Sequence, residues 1–243
     1  MSQPRLSIKK ISNNYIFLED EDKNEKRVYH GGLSKSRISN LIGRPPKVIV
    51  EFGSFDGGDG LKYKLDFPEA TVVSIEACPD LFSKIKYLES FGVVPLNYVV
   101  SDHDGEADFY QSYKAGENNK GVRAPVGSEL RAKEQLKKRN KHLIYEETPI
   151  KVPSIRLETL ARDILQIPAI DYLHIDTQGT FLYIMRGLGE LRPSLVFAEV
   201  AMFRKYYGAD TRSESNNFMK QLGYKKINQT SEHDTIYILK KEV

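Results

Sequence analysis

Short apolar runs alternate with amphipathic segments along most of this chain. The runs are rich in β-branched residues and end at glycine or at an acidic residue, a pattern typical of buried parallel strands. Strands that alternate with helices indicate a parallel sheet joined by crossovers. The predicted strands are 47–53, 71–77, 94–100, 106–112, 148–155, 171–176 and 195–200. The predicted helices are 58–66, 79–90, 129–142, 156–166, the segment that follows the turn Thr177–Gly179 and runs to about Leu191, and 210–222.

The two ends of the chain depart from this alternation. Residues 1–45 are predicted to be an N-terminal extension, with a hairpin formed by 8–18 and 26–30 and a short helix at 34–42. Strands 224–229 and 235–241 are predicted to form a C-terminal antiparallel hairpin at the sheet edge. The predicted fold is therefore α/β: a doubly wound, mostly parallel Rossmann-like sheet of about seven strands over residues 46–243.

The segment 113–142 interrupts the strands and helices. Its first part, 113–128, is rich in turn residues, and its second part has six Lys or Arg residues on a predicted helix. Such a helix is either a solvated face or a basic rim for an acidic partner. Loops at the active edge of a sheet vary with substrate. Four polar residues in and near this segment are candidates for acceptor binding: Arg123, Ser128, Arg131 and Gln178.

Composition limits the classes of function. The chain has 243 residues and a net charge of +3, which is too weakly basic to argue for nucleic acid. One cysteine, Cys78, excludes an internal disulfide and a multi-cysteine zinc site. No apolar stretch approaches the roughly 18 residues that span a bilayer, and the N-terminus lacks a secretory apolar segment. We expect a cytoplasmic protein without a membrane partner. The oligomeric state stays open, and a homodimer is compatible with the sequence.

The glycine-rich segment 47–60 (KVIVEFGSFDGGDG) is the most informative part of the sequence. It matches neither the dinucleotide motif GxGxxG nor the phosphate loop GxxxxGK[ST]. Asp56 and Asp59 would repel a pyrophosphate. A nucleoside without phosphates and with a cationic centre fits better, and S-adenosylmethionine is such a molecule.

Acidic residues stand at or near the carboxyl ends of five predicted strands, the edge where open α/β sheets bind ligands. Each alone can also be a helix cap or a solvated residue. Together they indicate a bound cation or a set of ligand hydroxyls, and the acid after the second strand suits a ribose diol. These residues are Glu51, Glu76, Asp102, Asp176 and Glu199.

Four segments resemble the FkbM family of S-adenosylmethionine-dependent methyltransferases over most of residues 47–200. They are VIVEFGSFDG, VVSIEACPDLF, VVSDHDGEADFY, and LHIDTQGTFLYIMRGL followed by LVFAEV. The residues that match the two more specific motifs are Ser101, Asp102 and Gly105, then Ile175, Asp176, Gln178 and Gly179. This sequence departs from the family motifs at four positions. It has Glu51 where family members usually have Asp, Phe55 where they have Asn, His174 where they have Lys and Phe181 where they have Glu.

The resemblance implies a class I methyltransferase fold, S-adenosylmethionine as cofactor, and O-methylation of a sugar, a glycan or another hydroxylated small molecule. It also implies cofactor contacts, residue by residue. Glu51, Gly53, Ser54 and Gly57 would pack on the methionine part, Glu76 would hold the ribose hydroxyls, Ala77 would lie beside the adenosine, Ser101 and Asp102 would meet the adenine amino group, and Asp176 would lie near the methyl group. Phe55 either faces the sulfonium through a cation–π contact or packs in the core.

Transfer to a hydroxyl needs a base, and position makes Asp176, His174 and Glu199 the candidates. His174 and Asp176 share one face of their strand. We predict no metal, because no compact Asp-Asp or Asp-Asn pair ends the fourth core strand. Three alternatives stay open: a nicotinamide-dependent oxidoreductase, against which the missing GxGxxG argues, a non-catalytic Rossmann-like domain that binds a partner through 129–142, and an RNA cap methyltransferase.

Overall fold

The computed structural model describes residues 6–20, 25–116, 122, 124, 126–200, 202–227 and 234–240. The strands in these residues are β1 (Ser7–Ile11), β2 (Tyr15–Glu19), β3 (Glu25–Tyr29), β4 (Val48–Phe52), β5 (Thr71–Ile75), β6 (Val93–Leu96), β7 (Val99–Ser101), β8 (Gly105–Phe109), β9 (Ser112–Lys114), β10 (Leu143–Tyr145), β11 (Ile150–Arg156), β12 (Tyr172–Ile175), β13 (Leu195–Glu199), β14 (Tyr224–Ile227) and β15 (Asp234–Leu239). The helices are α1 (Lys35–Ile42), α2 (Gly58–Asp66), α3 (Pro79–Ile85), α4 (Glu134–Arg139), α5 (Leu157–Thr159), α6 (Phe181–Arg186) and α7 (Arg212–Gln221). A 3-10 turn, Lys86–Phe91, follows α3, and a π-helical stretch, Leu160–Leu165, continues α5.

The central sheet has seven strands in the order β14-β15-β13-β12-β4-β5-β6. The five strands from β13 to β6 are parallel, and β15 runs antiparallel to both β13 and β14. The predicted doubly wound, mostly parallel sheet with a C-terminal antiparallel hairpin is confirmed. Since the parallel strands share one direction, their carboxyl ends meet along one edge.

Alternate side chains of the central strands contribute to two apolar layers, one on each face of the sheet. On β4, Val50 and Phe52 pack in one layer and Ile49 in the other, as expected from the period of two along a strand. The second layer also contains Leu61 and Tyr63 of α2. Both faces are covered, which explains why β4 is apolar without a break until Glu51.

The N-terminal extension forms a three-stranded sheet, β1-β2-β3, rather than the predicted two-stranded hairpin. Residues 8–18 divide into two strands at a turn in which the Ser12 amide donates to the Tyr15 carbonyl at 2.8 Å. Ile16 and Val28 are fully buried in the same layer as α2. The extension therefore packs on the central sheet, close to the glycine-rich turn.

Two other predictions are wrong in their bounds because of long-range pairing. The predicted strand 94–100 is split into β6, in the central sheet, and β7, which pairs with β11 in a second sheet of order β7-β11-β8. The ladder between β5 and β6 ends at the pair Ile75 and Leu96. The side-chain amide of Asn97, the next residue, donates to the carbonyls of Glu76 and Ala77 at 2.7 and 3.1 Å.

The predicted helix 129–142 is reduced to α4, because two isolated bridges, Tyr110 to Ser128 and Ala132 to Tyr206, hold the preceding chain extended. The predicted loop 113–128 contains the last two residues of β9, which begins at Ser112 and pairs with β10. In the described part of the chain, no helix is long and apolar enough to cross a membrane.

Candidate cofactor and acceptor site

The turn after β4 brings three strand ends together. Gly53 has φ +84°, and a Cβ there would lie 2.1 Å from the Asp176 carbonyl oxygen. The Gly53 amide donates to the Ile75 carbonyl at 2.9 Å, and the Asp176 amide donates to the Phe52 carbonyl at 3.0 Å. Only glycine permits this approach with this backbone conformation.

Glu76 lines a cleft beside this turn. Its side chain is buried, and its two carboxylate oxygens accept from the amides of Cys78 and Phe55, each at 2.8 Å. Burial raises the pKa of Glu76, and hydrogen bonds from the backbone amides of Cys78, Phe55 and Ala77 oppose that rise. A carboxylate has about four acceptor positions, so at least one remains for a ligand hydroxyl.

We call this space the cofactor cleft. Apolar side chains line part of it, among them Ala77, Leu81, Val99 and Val100. Thr177 also lines the cleft, and its Oγ1 is buried without a hydrogen-bond partner among the described residues. A buried hydroxyl without a partner is rare in folded proteins, so this atom indicates a polar group supplied by a ligand.

Glu129 also lines the cofactor cleft. The Ser101 hydroxyl donates to this carboxylate, with both oxygens at 3.0 Å, and burial raises the pKa of Glu129. Asp102 instead lies on an exposed turn and accepts from His103 Nδ1 at 3.2 Å. The acid in the cleft wall is therefore Glu129 and not Asp102. The sequence contains no local signal for Glu129, which reaches the cleft through the bridge from Tyr110 to Ser128.

Asp176, which follows β12, lies where the cofactor cleft meets a second cavity. The residue is exposed, but its exposed surface opens into these two concavities. Restricted hydration, together with repulsion from Glu199, raises the pKa of Asp176 to about 7. Glu199 itself accepts from Gln178 Nε2 at 3.1 Å and from Lys205 Nζ at 3.4 Å.

The second cavity is lined by Asp56, Asp59, Asp176, Glu199 and Asp234, together with Tyr29, Gly31, Gly53, Ser54, Phe55, His174, Ile175 and Phe197. We call it the acid cavity after its five carboxylates. It shares Gly53, Phe55 and Asp176 with the cofactor cleft.

His174 lies in a wall of the acid cavity and is 4% exposed. Its Nδ1 and the Tyr63 hydroxyl are 3.1 Å apart, and its ring stacks on Phe197 with 5.1 Å between centroids. Burial lowers the pKa of His174, so the imidazole is neutral at pH 7. Glu51 lies deeper, where it accepts from the Ser74 hydroxyl at 2.7 Å, and it forms no part of the cleft wall.

Four other candidate cofactor residues surround the glycine-rich turn. Phe55, with φ +47°, and Ala77 line the cofactor cleft. Ser54 lines the acid cavity, and its hydroxyl donates to the Ile75 carbonyl at 3.3 Å. Gly57, with φ +80°, precedes α2 and lines neither space.

The structure separates the candidate acceptor residues. Ser128 and Gln178 both line the cofactor cleft, and the Ser128 hydroxyl donates to the Gln178 carbonyl at 2.7 Å. Arg131 lies outside both spaces and forms an ion pair with Glu147 at 3.6 Å. Arg123 lies outside the described residues.

Residues 57–226 match the family model of the methyltransferase FkbM domain. The chain belongs to this family. The resemblance of the sequence motifs is thereby confirmed, and S-adenosylmethionine is the cofactor of the family. The FkbM membership replaces the nicotinamide-dependent alternative. A search of curated protein sequences finds no match.

Several solved structures are similar to this FkbM domain. An O-methyltransferase from Bacillus cereus in complex with SAH shows 11% identity and a TM-score of 0.45 over 86% of this chain and 83% of that one. The O-methyltransferase TomG from Streptomyces achromogenes shows 12% identity and a TM-score of 0.44 over 86% and 82%. Precorrin-6y C5,15-methyltransferase from Geobacter metallireducens shows 11% identity and a TM-score of 0.44 over 85% of this chain and 87% of that one.

The cofactor cleft fits the groups of S-adenosylmethionine. Glu76 offers acceptors for a ribose diol, Glu129 offers an acceptor for an amino group, and the apolar wall suits a purine ring. Thr177 Oγ1 lacks a partner that a polar ligand atom would supply. Asp176 places a carboxyl group where the cleft meets the acid cavity.

Proposed function

We propose that this protein transfers a methyl group from S-adenosylmethionine to a hydroxyl group of a small hydroxylated acceptor, such as a sugar or a glycan, with Asp176 as the general base. One observation supports this proposal most: a carboxylate with a pKa of about 7 lies between the cofactor cleft and an adjoining cavity. A general base is most effective when its pKa is near the working pH.

The residues of the chain act on the acceptor and on water. S-adenosylmethionine supplies a methyl group activated by the sulfonium. As the acceptor oxygen forms its bond to the methyl carbon and the carbon–sulfur bond breaks, a carboxylate oxygen of Asp176 takes the hydroxyl proton. Glu199 raises the basicity of Asp176 by charge repulsion, and Lys205 with Gln178 holds Glu199 in place. The apolar wall limits bulk water, which favours aligned reactants.

The buried imidazole of His174 has a different role in this proposal. A neutral ring leaves the pKa of Asp176 high, whereas a cation at the same place would lower it. The stacking on Phe197 and the bond to Tyr63 fix the ring in the wall of the acid cavity, which Asp176 also lines. His174 is therefore a positioning residue here, and Asp176 is the base.

The direct test of this function is a transfer assay with labelled S-adenosylmethionine against a panel of sugars, glycans and other hydroxylated compounds. We expect label in at least one acceptor. Cofactor binding without label in any acceptor would instead favour the non-catalytic binding domain.

Glu76→Gln is expected to weaken the binding of S-adenosylhomocysteine by about 1–3 kcal/mol. The NH2 of the glutamine amide cannot accept a hydrogen bond from the second hydroxyl of a ribose diol. Isothermal titration calorimetry measures the change. The control is Glu190→Gln, the same substitution at an exposed residue outside both spaces. Equal affinities for the two variants would contradict the ribose assignment. Thermal unfolding of each variant separates affinity from folding, since Glu76 also binds two backbone amides.

Glu129→Gln is expected to remove a preference for adenine. A carboxylate accepts from the adenine 6-amino group and repels the 6-oxo group of hypoxanthine, so the wild type should bind S-adenosylhomocysteine about tenfold or more tightly than S-inosylhomocysteine. A glutamine can donate to the oxo group, so the ratio of the affinities for S-adenosylhomocysteine and S-inosylhomocysteine should fall towards one. An unchanged ratio in the variant would show that Glu129 does not contact the base. Asp102→Asn serves as the comparison, because Asp102 lies outside the cleft wall.

A further inference from the structure

The outer face of the N-terminal sheet β1-β2-β3 carries exposed aromatic side chains. Along β2, Ile16 and Leu18 are fully buried, and Tyr15 and Phe17 alternate with them on the opposite face. Tyr15 pairs with Tyr29 across the sheet, and the two side chains are 36% and 49% exposed. Exposed apolar groups that are clustered, unlike single ones, are typical of a binding surface.

The aromatic rings of this face are in contact with two cations. The ring centroid of Tyr15 lies 5.7 Å from that of Tyr29 and 6.4 Å from that of Phe17. The Arg27 guanidinium lies 5.1 Å from the Tyr15 centroid and 5.3 Å from the Phe17 centroid, and Lys10 Nζ lies 5.8 Å from the latter. Neither cation forms an ion pair with a described residue, so both keep N–H donors for a ligand. We call these five residues the aromatic face.

The aromatic face is continuous with the acid cavity, because Tyr29 belongs to both. Under the proposed function, the acceptor hydroxyl reaches Asp176, which lines the acid cavity and the cofactor cleft. With the cofactor in its cleft, the acceptor enters from the side of the acid cavity. The remainder of a longer acceptor then extends past Tyr29 and over Tyr15. The row of Phe17 and Arg27 follows about 7 Å further along the strands, so the face offers successive places for a chain.

The strand that carries Tyr29 is fixed to the turn before α2. The Tyr29 amide donates to Asp56 at 2.7 Å, and the Gly31 amide donates to Asp59 at 3.0 Å. A Cβ on Gly58 would lie 1.4 Å from the Tyr29 carbonyl oxygen, an approach that only glycine permits. The aromatic face is therefore held in a defined position beside the acid cavity.

The charges around the aromatic face favour a neutral chain over a polyanion. Glu19 and Glu25 are paired on the same face, one row beyond Phe17 and Arg27, and the carboxylates of the acid cavity lie at the other end. A nucleic acid would bring its phosphates against both groups of acids. A saccharide avoids this repulsion, because its C–H surface packs on aromatic rings and its hydroxyl oxygens accept from Arg27 and Lys10.

We propose that the aromatic face binds the sugar units that follow the reacting one, so that the preferred acceptor is an oligosaccharide or a glycan chain and not a single sugar. This inference rests on the proposed function. The reacting hydroxyl lies at Asp176, and the chain passes over Tyr29 and Tyr15 towards Phe17. The aromatic face supplies affinity and selects for chain length, and it takes no part in the transfer of the methyl group.

The test compares chain lengths on the protein saturated with S-adenosylhomocysteine. The probes are defined series of one to six units of glucose, N-acetylglucosamine, mannose or galactose. They are immobilised on one array, and the affinities of bound series are then measured in solution by calorimetry. We expect at least one tetrasaccharide to bind about tenfold or more tightly than the monosaccharide of its series.

Two variants locate this gain on the aromatic face. Tyr15→Ala and Arg27→Gln should each reduce the ratio of tetrasaccharide to monosaccharide affinity by about threefold or more. Arg27 is exposed, so Arg27→Gln keeps the test valid where Tyr15→Ala lowers stability, and circular dichroism checks the folding of both. Tyr207→Ala is the matched control and should keep the wild-type ratio. Tyr207 is 48% exposed, has the Arg131 guanidinium 4.8 Å from its ring centroid, and lines neither space.

Several outcomes would overturn this inference. They are binding that grows with chain length in none of the series, a gain with length that survives both Tyr15→Ala and Arg27→Gln, and tighter binding of single-stranded oligothymidylate than of every tetrasaccharide, which would assign the face to nucleic acid. The transfer assay is scored separately. Equal transfer to monosaccharides and tetrasaccharides defeats this inference alone, whereas length-dependent binding without label in any acceptor defeats the proposed function alone.

Discussion

Asp176→Asn is expected to lower kcat by about 10²- to 10⁴-fold, the contribution typical of a general base. An amide cannot take the acceptor proton, but it has nearly the same shape as the carboxylate. Binding of S-adenosylhomocysteine should therefore change little. Steady-state kinetics and calorimetry on the same preparations measure the two quantities. Asp163→Asn, at an exposed residue paired with Arg162, is the matched control and should keep the wild-type rate.

The pH dependence gives a second measure of the role of Asp176. Its pKa is raised from 3.8 to about 7, so the base is protonated below that pH and free above it. The kcat/KM of the wild type should rise as pH increases through about 7, because kcat/KM reports the groups of the free enzyme. Asp176→Asn should lose this rise with pH. A wild-type rate in the variant, or an unchanged pH profile, would show that another group takes the proton.

Gly53→Ala is expected to lower the free energy of unfolding by about 3 kcal/mol or more. The left-handed conformation costs about 1–2 kcal/mol for a residue with a Cβ. The rest comes from the carbonyl oxygen of Asp176, which would lie 2.1 Å from that Cβ. Neither strand end can move freely, because both are held by hydrogen bonds to neighbouring strands. Denaturant unfolding followed by circular dichroism measures the loss.

Gly43→Ala is the matched control for the Gly53 substitution. Gly43 has φ +85°, and a Cβ there would have no atom within 4 Å. This variant therefore reports the conformational cost alone. Equal losses of stability in the two variants would show that the close approach of Gly53 to Asp176 is not what stabilises this turn.

The sequence predicted the elements that depend on local periodicity. Strand β4, its glycine-rich turn and the strand that precedes Glu76 follow from apolar runs and the glycines that end them. The acids at the strand ends were predictable because parallel strands place their carboxyl ends at one edge. Of these, Glu76 and Asp176 line the cofactor cleft, and Glu51 lies behind it.

The parts that were not predictable depend on pairing between distant residues. Glu129 reaches the cleft because Ser128 pairs with Tyr110, a contact that no local pattern encodes. The contribution of Asp59 to the acid cavity depends on the N-terminal residues Gly31 and Gly32, which donate to its carboxylate. Propensity favours a helix from residue 129, and the bridge from Ala132 to Tyr206 overrides it.

The departures from the family motifs have a structural account at two positions. Phe181, where the resemblance suggests Glu, is buried and stacks on Tyr237 with 5.8 Å between ring centroids. At His174 the resemblance suggests Lys, and the imidazole ring stacks with the rings of Tyr172 and Phe197. In both places a charged side chain is replaced by aromatic packing. No long cation then extends from β12 beside the acid cavity, which keeps the wall of that cavity negative.

Nuclear magnetic resonance of the reaction with ¹³C-methyl-labelled S-adenosylmethionine and the panel of hydroxylated acceptors tests the central claim most directly. The wild type is predicted to give product whose labelled carbon is bonded to oxygen, and Asp176→Asn is predicted to give almost none in the same time. A labelled carbon bonded to nitrogen, or product formed equally fast by the variant, would contradict O-methyl transfer with Asp176 as the base.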